Sequence, residues 1–305
     1  MSLLSRRHLI TRAGGLLTGA AIGAPTYAVA IEGGLRLAHT HYDISPPRWP
    51  AGLSLRIAVI ADIHACEPWM SAARIRAITD MTNALAPDVT MVLGDFNAGH
   101  DMVTRAVEPQ EWGAELARLH APLGVFAILG NHDWWHGALP DMPSDDAHDI
   151  GRALKAAGIR LLDNDAARVR KDGRPIWILG LADQMARRHS RTQWDGFDDL
   201  DGTLARVTDD APIIMLAHEP FIFHRMPARV ALTLCGHTHG GQVNLPFVAS
   251  HYLRERFGSY IYGHIIENGR HMVISAGLGA SNAPIRFMRP PEIVTIDLGA
   301  PALGA

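Results

Sequence analysis

The chain has 305 residues, with 28 Lys and Arg against 31 Asp and Glu and a formal net charge of −3. Hydrophobic residues make up 48% and charged residues 19%, which is enough apolar material for a sizeable core and excludes a disordered chain, a collagen-like repeat and a disulfide scaffold. The slightly acidic balance argues against a general nucleic-acid binder, which needs a basic face, so no nucleic-acid partner is expected.

In chain order, the first thirty residues carry Arg6, Arg7 and Arg12 and no acidic residue. Ser5-Arg6-Arg7-His8-Leu9-Ile10 resembles a twin-arginine export signal, a Gly/Ala-rich apolar stretch follows over 13–24, and Ala28-Val29-Ala30 offers a small-x-small cleavage site. Residues 1–30 read as an export signal, either cleaved or kept as an N-terminal anchor. The expected location is the periplasm or the outer face of the cytoplasmic membrane, with the twin-arginine export machinery as a partner. Residues 31–54, with Pro46, Pro47 and Pro50, read as an irregular lead-in.

Short apolar runs then recur at 55–61, 89–93, 124–129, 176–181, 212–217 and 230–234. Each has strand length and no polar alternation, which suits a strand covered on both faces. Helical stretches lie between them. Residues 71–85 place Ile75, Ile78 and Thr82 or Leu85 on one face, with Ser71 as N-cap. Residues 110–119 and 149–157 read similarly, and Gly158 suits the cap after the latter. Residues 260–266, 271–275 and 292–297 read as later strands. The fold class is α/β, in a single domain over 55–300 with a more strand-rich second half.

Polar residues fall at the ends of these runs: Asp62-Ile63-His64, Gly94-Asp95, Gly130-Asn131-His132-Asp133, His218-Glu219-Pro220, and Gly236-His237-Thr238-His239-Gly240-Gly241. Open α/β sheets collect ligands beyond the carboxyl ends of their strands. Seven candidates gather there: Asp62, His64, Asp95, Asn131, His218, His237 and His239. Two carboxylates, four imidazoles and an amide oxygen need compensation at close quarters. Two divalent ions (Mn, Fe, Zn or Co) sharing a carboxylate would provide it, and seven ligands are too many for one tetrahedral ion. Two dications less two carboxylates leave a cationic site, which attracts and polarises a phosphate ester.

Together these blocks resemble the five-block signature of the calcineurin-like metallophosphoesterases, from about residue 55 to 298. Gly240-Gly241-Gln242, Gly277-Leu278-Gly279 and Pro284-Ile285-Arg286 add likeness to a bacterial exported or membrane-associated branch. The resemblance implies a four-layer αββα sandwich with two facing mixed β-sheets. It implies that Asp62, His64 and His239 hold one ion, that Asn131, His218 and His237 hold the other, and that Asp95 bridges. It also implies a metal-bridging hydroxide attacking phosphorus in line, with His132 giving a hydrogen bond or proton to the departing oxygen. Many members carry a second Asp three residues after the bridging one, which orients that histidine. Here the position is Ala98, with Asp133 or Asp101 as substitutes.

The remaining candidates have plainer expectations. Cys66 and Cys235 read as small buried space-fillers, although an oxidising compartment would allow them to pair. Asp183 reads as a turn carboxylate with a second reading at substrate. His100, His136 and His189 read as solvated, and Arg286 as a phosphate contact or a surface salt bridge. Trp69, Met70, Trp134, Trp135 and Phe247 follow three of the blocks and either pack the loops or form an apolar mouth for a lipid-linked phosphate at a membrane surface. The leading expectation is a two-metal phosphodiesterase or phosphatase. The alternatives are a sugar-nucleotide-lipid pyrophosphatase of the UDP-diacylglucosamine type and a non-catalytic membrane-surface binding protein. The His-x-His-x-Asp-His block of metallo-β-lactamases is absent.

Overall fold

The computed structural model describes residues 26–135, 146–190, 193–245 and 257–299. In chain order the principal strands are β1 (Ala38–Ile44), β2 (Leu55–Ile60), β3 (Val89–Leu93), β4 (Val125–Ile128), β5 (Arg160–Leu161) and β6 (Asp165–Lys171). They continue with β7 (Arg174–Gly180), β8 (Ile213–Leu216), β9 (Val230–Cys235), β10 (Gly263–Glu267), β11 (Arg270–Ile274) and β12 (Glu292–Leu298). The helices are α1 (Ala72–Ala84), α2 (Pro109–Leu116), α3 (Asp146–Ala156) and α4 (Leu200–Ala205).

Two six-stranded sheets result, in the orders β1-β12-β2-β3-β4-β5 and β10-β11-β9-β8-β7-β6. Both are mixed. In the first, β2, β3, β4 and β5 run parallel while β12 pairs antiparallel with β2. In the second, β7, β8, β9 and β11 run parallel while β6 and β10 are antiparallel edges.

Alternate residues of each strand point to opposite faces. Leu55, Ile57 and Val59 of β2 meet Ile214 and Leu216 of β8 and Leu232 and Leu234 of β9 in one core between the sheets. The other side of the first sheet, through Ile60, Val92 and Ala127, packs on Ile75 and Ile78 of α1, Trp112 of α2, and Ile150 and Leu154 of α3. The far side of the second sheet, through Leu179, Met215 and Met272, is covered by Leu200 of α4 and Phe223. The layers are αββα, and both sheets are apolar on both faces, which is why their central strands lack polar alternation.

Local signals place the helices. Ser71 Oγ accepts the Arg74 N–H at 3.2 Å and starts α1. Gly158, with φ +74°, follows α3 in the left-handed conformation that ends a helix. The stretch 31–54 departs from the expected irregular lead-in, because β1 runs parallel to β12 at the sheet edge. Its exposure alternates residue by residue, so half of its side chains are polar or solvated.

Candidate metal centre

The parallel strands β2, β3 and β4 of one sheet, and β8 and β9 of the other, end at a common edge of the sandwich. Their first loop residues carry the expected side chains. Five of these adopt left-handed backbone: Asp62 (φ 52°), His64 (48°), Asp95 (56°), His237 (69°) and His239 (53°). Each such residue costs on the order of 1–3 kcal/mol and persists only when its surroundings enforce it. Here the Asp62 N–H donates to Gly94 O at 3.0 Å and the His64 N–H donates to Asp95 O at 2.9 Å, tying the two loops together. Glycine is required where they close most tightly. A Cβ at Gly130 would lie 2.4 Å from Asp95 Oδ1 and 2.7 Å from His218 Nε2.

The seven side chains form two adjoining groups. Asp62, His64, Asp95 and His239 each bring one donor atom to a cluster spanning no more than 4.8 Å. Within it, His64 Nε2 lies 3.1 Å from His239 Nε2 and 3.4 Å from Asp95 Oδ2. His239 Nε2 is 3.7 Å from Asp62 Oδ1. In the second group His218 Nε2 is 3.3 Å from the same Asp95 Oδ2. His237 Nδ1 is 2.9 Å from Asn131 Oδ1. His237 and His239, two positions apart, therefore serve different groups, with the Asp95 carboxylate between them.

The outer nitrogens are also fixed. His64 Nδ1 lies 2.7 Å from Asn97 O, and His218 Nδ1 lies 2.6 Å from Leu93 O. A carbonyl only accepts, so these Nδ1 atoms carry the hydrogen and leave the Nε2 atoms as the ones that converge inward. Burial drives the His64 pKa down to about 3. Burial, then His64 and Arg286, hold His239 well below its usual value. Burial opposes the protonation of His218, yet Asp95 outweighs it and raises the pKa well above normal. Burial pushes Asp62 up to about 7, and its Oδ2 makes no hydrogen bond. The buried Asp62 carboxylate, with Oδ1 facing His239, beside the unprotonated imidazoles of His64 and His239, fits a divalent cation through hard oxygen and borderline nitrogen ligands, and a cation there would take the place of the proton that Asp95 holds on His218. Asp62, His64 and His239 would hold one ion, Asn131, His218 and His237 a second, and Asp95 both.

His132 is half-buried beside this cluster. Its backbone N–H donates to Asp95 Oδ1 at 2.9 Å, and its ring stands edge-on to His64 at 5.0 Å between centroids. Trp135 lies on its other side at 5.5 Å. Burial lowers its pKa, so the ring is a neutral N–H donor. Neither proposed substitute for the missing second Asp orients this ring. Asp101 is exposed, and Asp133 is buried with its carboxylate turned to the backbone N–H groups of Asp95, Phe96 and Gly130. Packing between Trp135 and His64 sets the ring instead.

The remaining expectations divide: His189 and the two cysteines fall as expected, while Arg286 and His100 do not. Arg286 is fully buried, not a surface ion pair: Nε donates to Gly279 O at 2.8 Å, Nη2 donates to Ala276 O at 2.8 Å, and Nη2 lies 3.2 Å from His239 Nδ1. Burial lowers its pKa to about 10. His100 is buried rather than solvated, and its Nδ1 has no hydrogen-bond partner. His189 is exposed and pairs with Asp195 at 2.8 Å. Asp183 is a turn carboxylate as expected, its Oδ1 accepting the Met185 N–H at 2.8 Å, but it is also fully buried against Glu219, and burial followed by that neighbouring charge holds its carboxyl well above the usual range. Glu219, also fully buried, was passed over in the sequence as the middle of His218-Glu219-Pro220. Its adjacency to a strand-end histidine was the one signal available. Cys66 and Cys235 are both buried and free. Trp69 Nε1 donates to Met102 O, Trp135 Nε1 donates to Met185 O, and Trp134 packs on Phe197, so these rings brace the loops. Residues 1–25, His136 and Phe247 lie outside the described residues.

The calcineurin-like phosphoesterase family model matches residues 55–266, which contain all seven candidate ligands. The chain belongs to this family. It is 29% identical over 308 residues to the uncharacterized metallophosphoesterase YkuE of Bacillus subtilis, covering 98% of this chain and 99% of that protein. It is 25% identical over 316 residues to the UDP-2,3-diacylglucosamine pyrophosphatase LpxG of Chlamydia trachomatis, covering 85% of this chain and 88% of that one. Among solved structures it is similar to the phosphopantetheinyl hydrolase PptH of Mycobacterium tuberculosis, with 12% identity, a TM-score of 0.44 and coverage of 76% of this chain and 91% of that one. Among the described residues no helix is long and apolar enough to cross a membrane.

Proposed function

We propose that this chain is a two-metal phosphoesterase acting on a lipid-linked phosphate ester at the outer face of the cytoplasmic membrane. The observation that carries the reading is the position of Asp95 Oδ2, 3.4 Å from His64 Nε2 in one donor group and 3.3 Å from His218 Nε2 in the other. A single carboxylate oxygen shared between two buried donor sets is the arrangement a bridged pair of cations requires. Two divalent ions there would polarise a phosphate ester and lower the pKa of a water toward neutrality.

The protein's own groups do the rest. The His64 and His218 rings are locked by backbone carbonyls, so the donor atoms need little reorganisation. The neutral His132 ring, beside the first group, presents an N–H toward a phosphate or departing oxygen. Arg286 and the loop carbonyls it holds keep His239 in place without exposing a second cation to solvent. The twin-arginine-like start supports an exported location, and the name of the chlamydial relative supports a lipid-linked substrate. That same relative supports a second reading, cleavage of the diphosphate of a nucleotide-linked glycolipid.

The test is removal of metal with a chelator, then assay of an aryl phosphodiester, an aryl phosphomonoester and a UDP-linked diacylglucosamine with Mn²⁺ restored. Mn²⁺-dependent turnover that is lost in Asp95→Asn and His237→Ala supports the proposal. Ready cleavage of the UDP-lipid alone moves it to the second reading. Absence of turnover on all three, with metal bound, would leave a binding protein on the same fold.

A further inference from the structure

One buried carboxylate beside the second group has no place in the expected ligand set. Glu219 immediately follows His218, is fully buried, and sends Oε1 to within 3.8 Å of His237 Nδ1. That Oε1 meets no N–H donor, and its other close neighbour is the Asp183 carboxyl, which is held well above its usual range and shares a proton with Glu219. The other Glu219 oxygen is occupied: Gln184 N–H donates to Oε2 at 3.2 Å and Gln184 Nε2 donates to it at 3.3 Å. Gln184 Nε2 also holds Glu219 O at 2.8 Å, so both the side chain and the backbone of Glu219 are clamped by one residue. The result is a carboxylate fixed at one oxygen and presented at the other. His218, Glu219 and His237 bring their donor atoms within 4.8 Å of one another. Two buried carboxyls side by side, with only one shared proton between them, are expensive unless a cation also faces the one beside the imidazoles.

We propose that Glu219 is an additional protein ligand of the second ion, joining Asn131, His218, His237 and the shared Asp95. This rests on the two-metal reading above and deepens it toward a substrate class. With Asp62, Asp95 and Glu219, three carboxylates face two dications, and one net positive charge remains instead of two. A phosphomonoester carries nearly two negative charges at neutral pH, because its second pKa is about 6. A phosphodiester carries one. A centre with less positive charge gives up more of its attraction for the dianion than for the monoanion. Glu219 thereby biases the site toward diesters.

The test uses the full chain and compares wild type with Glu219→Gln, which keeps the shape and the Gln184 contacts but removes the charge. Mn²⁺ binding is followed by calorimetry and by electron paramagnetic resonance, with circular dichroism as a check on folding. The expected result is a second-site affinity at least about tenfold weaker, a first-site affinity nearly unchanged, and a diester-to-monoester ratio of kcat/KM several-fold lower, as a charged ligand lost from a metal site would cause. Two bound ions of unaltered affinity in Glu219→Gln overturn the proposal, whether or not the ester ratio moves. A crystal of the Zn²⁺-loaded wild type decides the matter even if the variant misfolds. Glu219 Oε1 at about 2.0–2.2 Å from the second ion supports ligation, and a separation beyond about 3 Å overturns it. A wild-type protein that binds no second ion, or hydrolyses neither ester, overturns the two-metal reading as well. One that binds both ions and cleaves the diester, with Glu219→Gln indistinguishable from it, overturns only the role of Glu219.

Discussion

Asp133 Oδ2 accepts the backbone N–H of Asp95 at 2.8 Å. The same oxygen takes the Gly130 N–H at 2.9 Å, and Oδ1 takes the Phe96 N–H at 2.7 Å. Asp133 is therefore a brace across the loops after β3 and β4. It holds Asp95 in its left-handed conformation and so aims the shared carboxylate. Its neighbour His132 receives no help from it. Replacing Asp133 with Ala leaves three buried donors without acceptors, each worth about 1–3 kcal/mol. The expected outcome is a loss of at least about 3 kcal/mol in urea unfolding, together with reduced metal occupancy. Asp133→Asn, which keeps one acceptor oxygen, should lie between.

Arg286 makes a similar argument for the first group. Its guanidinium holds the carbonyls of Ala276, Gly279 and Arg289, and abuts His239 Nδ1. A lysine presents a point charge on a flexible stem and cannot span these acceptors. Arg286→Lys should lose about 2–4 kcal/mol of stability, since buried carbonyls go unpaired. Mn²⁺ titration should show the first ion weakened more than the second. Equal weakening of both would mean that Arg286 supports the fold without favouring His239.

His132 should separate binding from chemistry. His132→Ala is expected to lower kcat by about 10²–10⁴-fold, the range for a lost proton or hydrogen-bond donor. The metal content should stay at the wild-type value, because the ring belongs to neither donor group. Metal analysis alongside steady-state kinetics checks both halves. A fall in metal content that tracks the fall in rate would contradict this separation.

The strand-end pattern was legible because five apolar runs each end abruptly in Gly, Asp, Asn or His, and β2, β3, β4, β8 and β9 fall on those runs with boundaries shifted by at most two residues. Strand β1 was not legible. Its Ala38-His39-Thr40-His41-Tyr42 sequence is polar on one face, as a sheet-edge strand allows, and its pairing partner lies at the other end of the chain. The surface reading of Arg286, the burial of Asp183 and the whole role of Glu219 were missed for one reason. A lone charged residue carries no local mark of burial, and only the closing of the two sheets puts these three inside. The left-handed backbone at Asp62, His64 and Asp95 is similarly a product of the tied loops.

The N-terminal segment gives a prediction about processing. Ala28 is buried, and its carbonyl accepts the Arg286 N–H at 3.0 Å. Glu32, also buried, accepts the Arg289 N–H at 2.6 Å. A cut after Ala30 would divide this short helical segment, Tyr27–Gly33, and release its first half from the loop that carries Arg286. Intact-mass measurement of the protein purified from its native cells should find Tyr27 and Ala28 still attached. A mature N-terminus at Ile31 would contradict this.

The most direct test of the central claim is the magnetic coupling of bound manganese. The fully loaded wild type should hold two Mn²⁺ per chain and show an exchange-coupled pair by electron paramagnetic resonance, because Asp95 lies between the two donor groups. Asp95→Asn should abolish the coupling and turnover together. Isolated, uncoupled Mn²⁺ in the wild type, or coupling that survives the loss of the Asp95 charge, would contradict a centre built on that shared carboxylate.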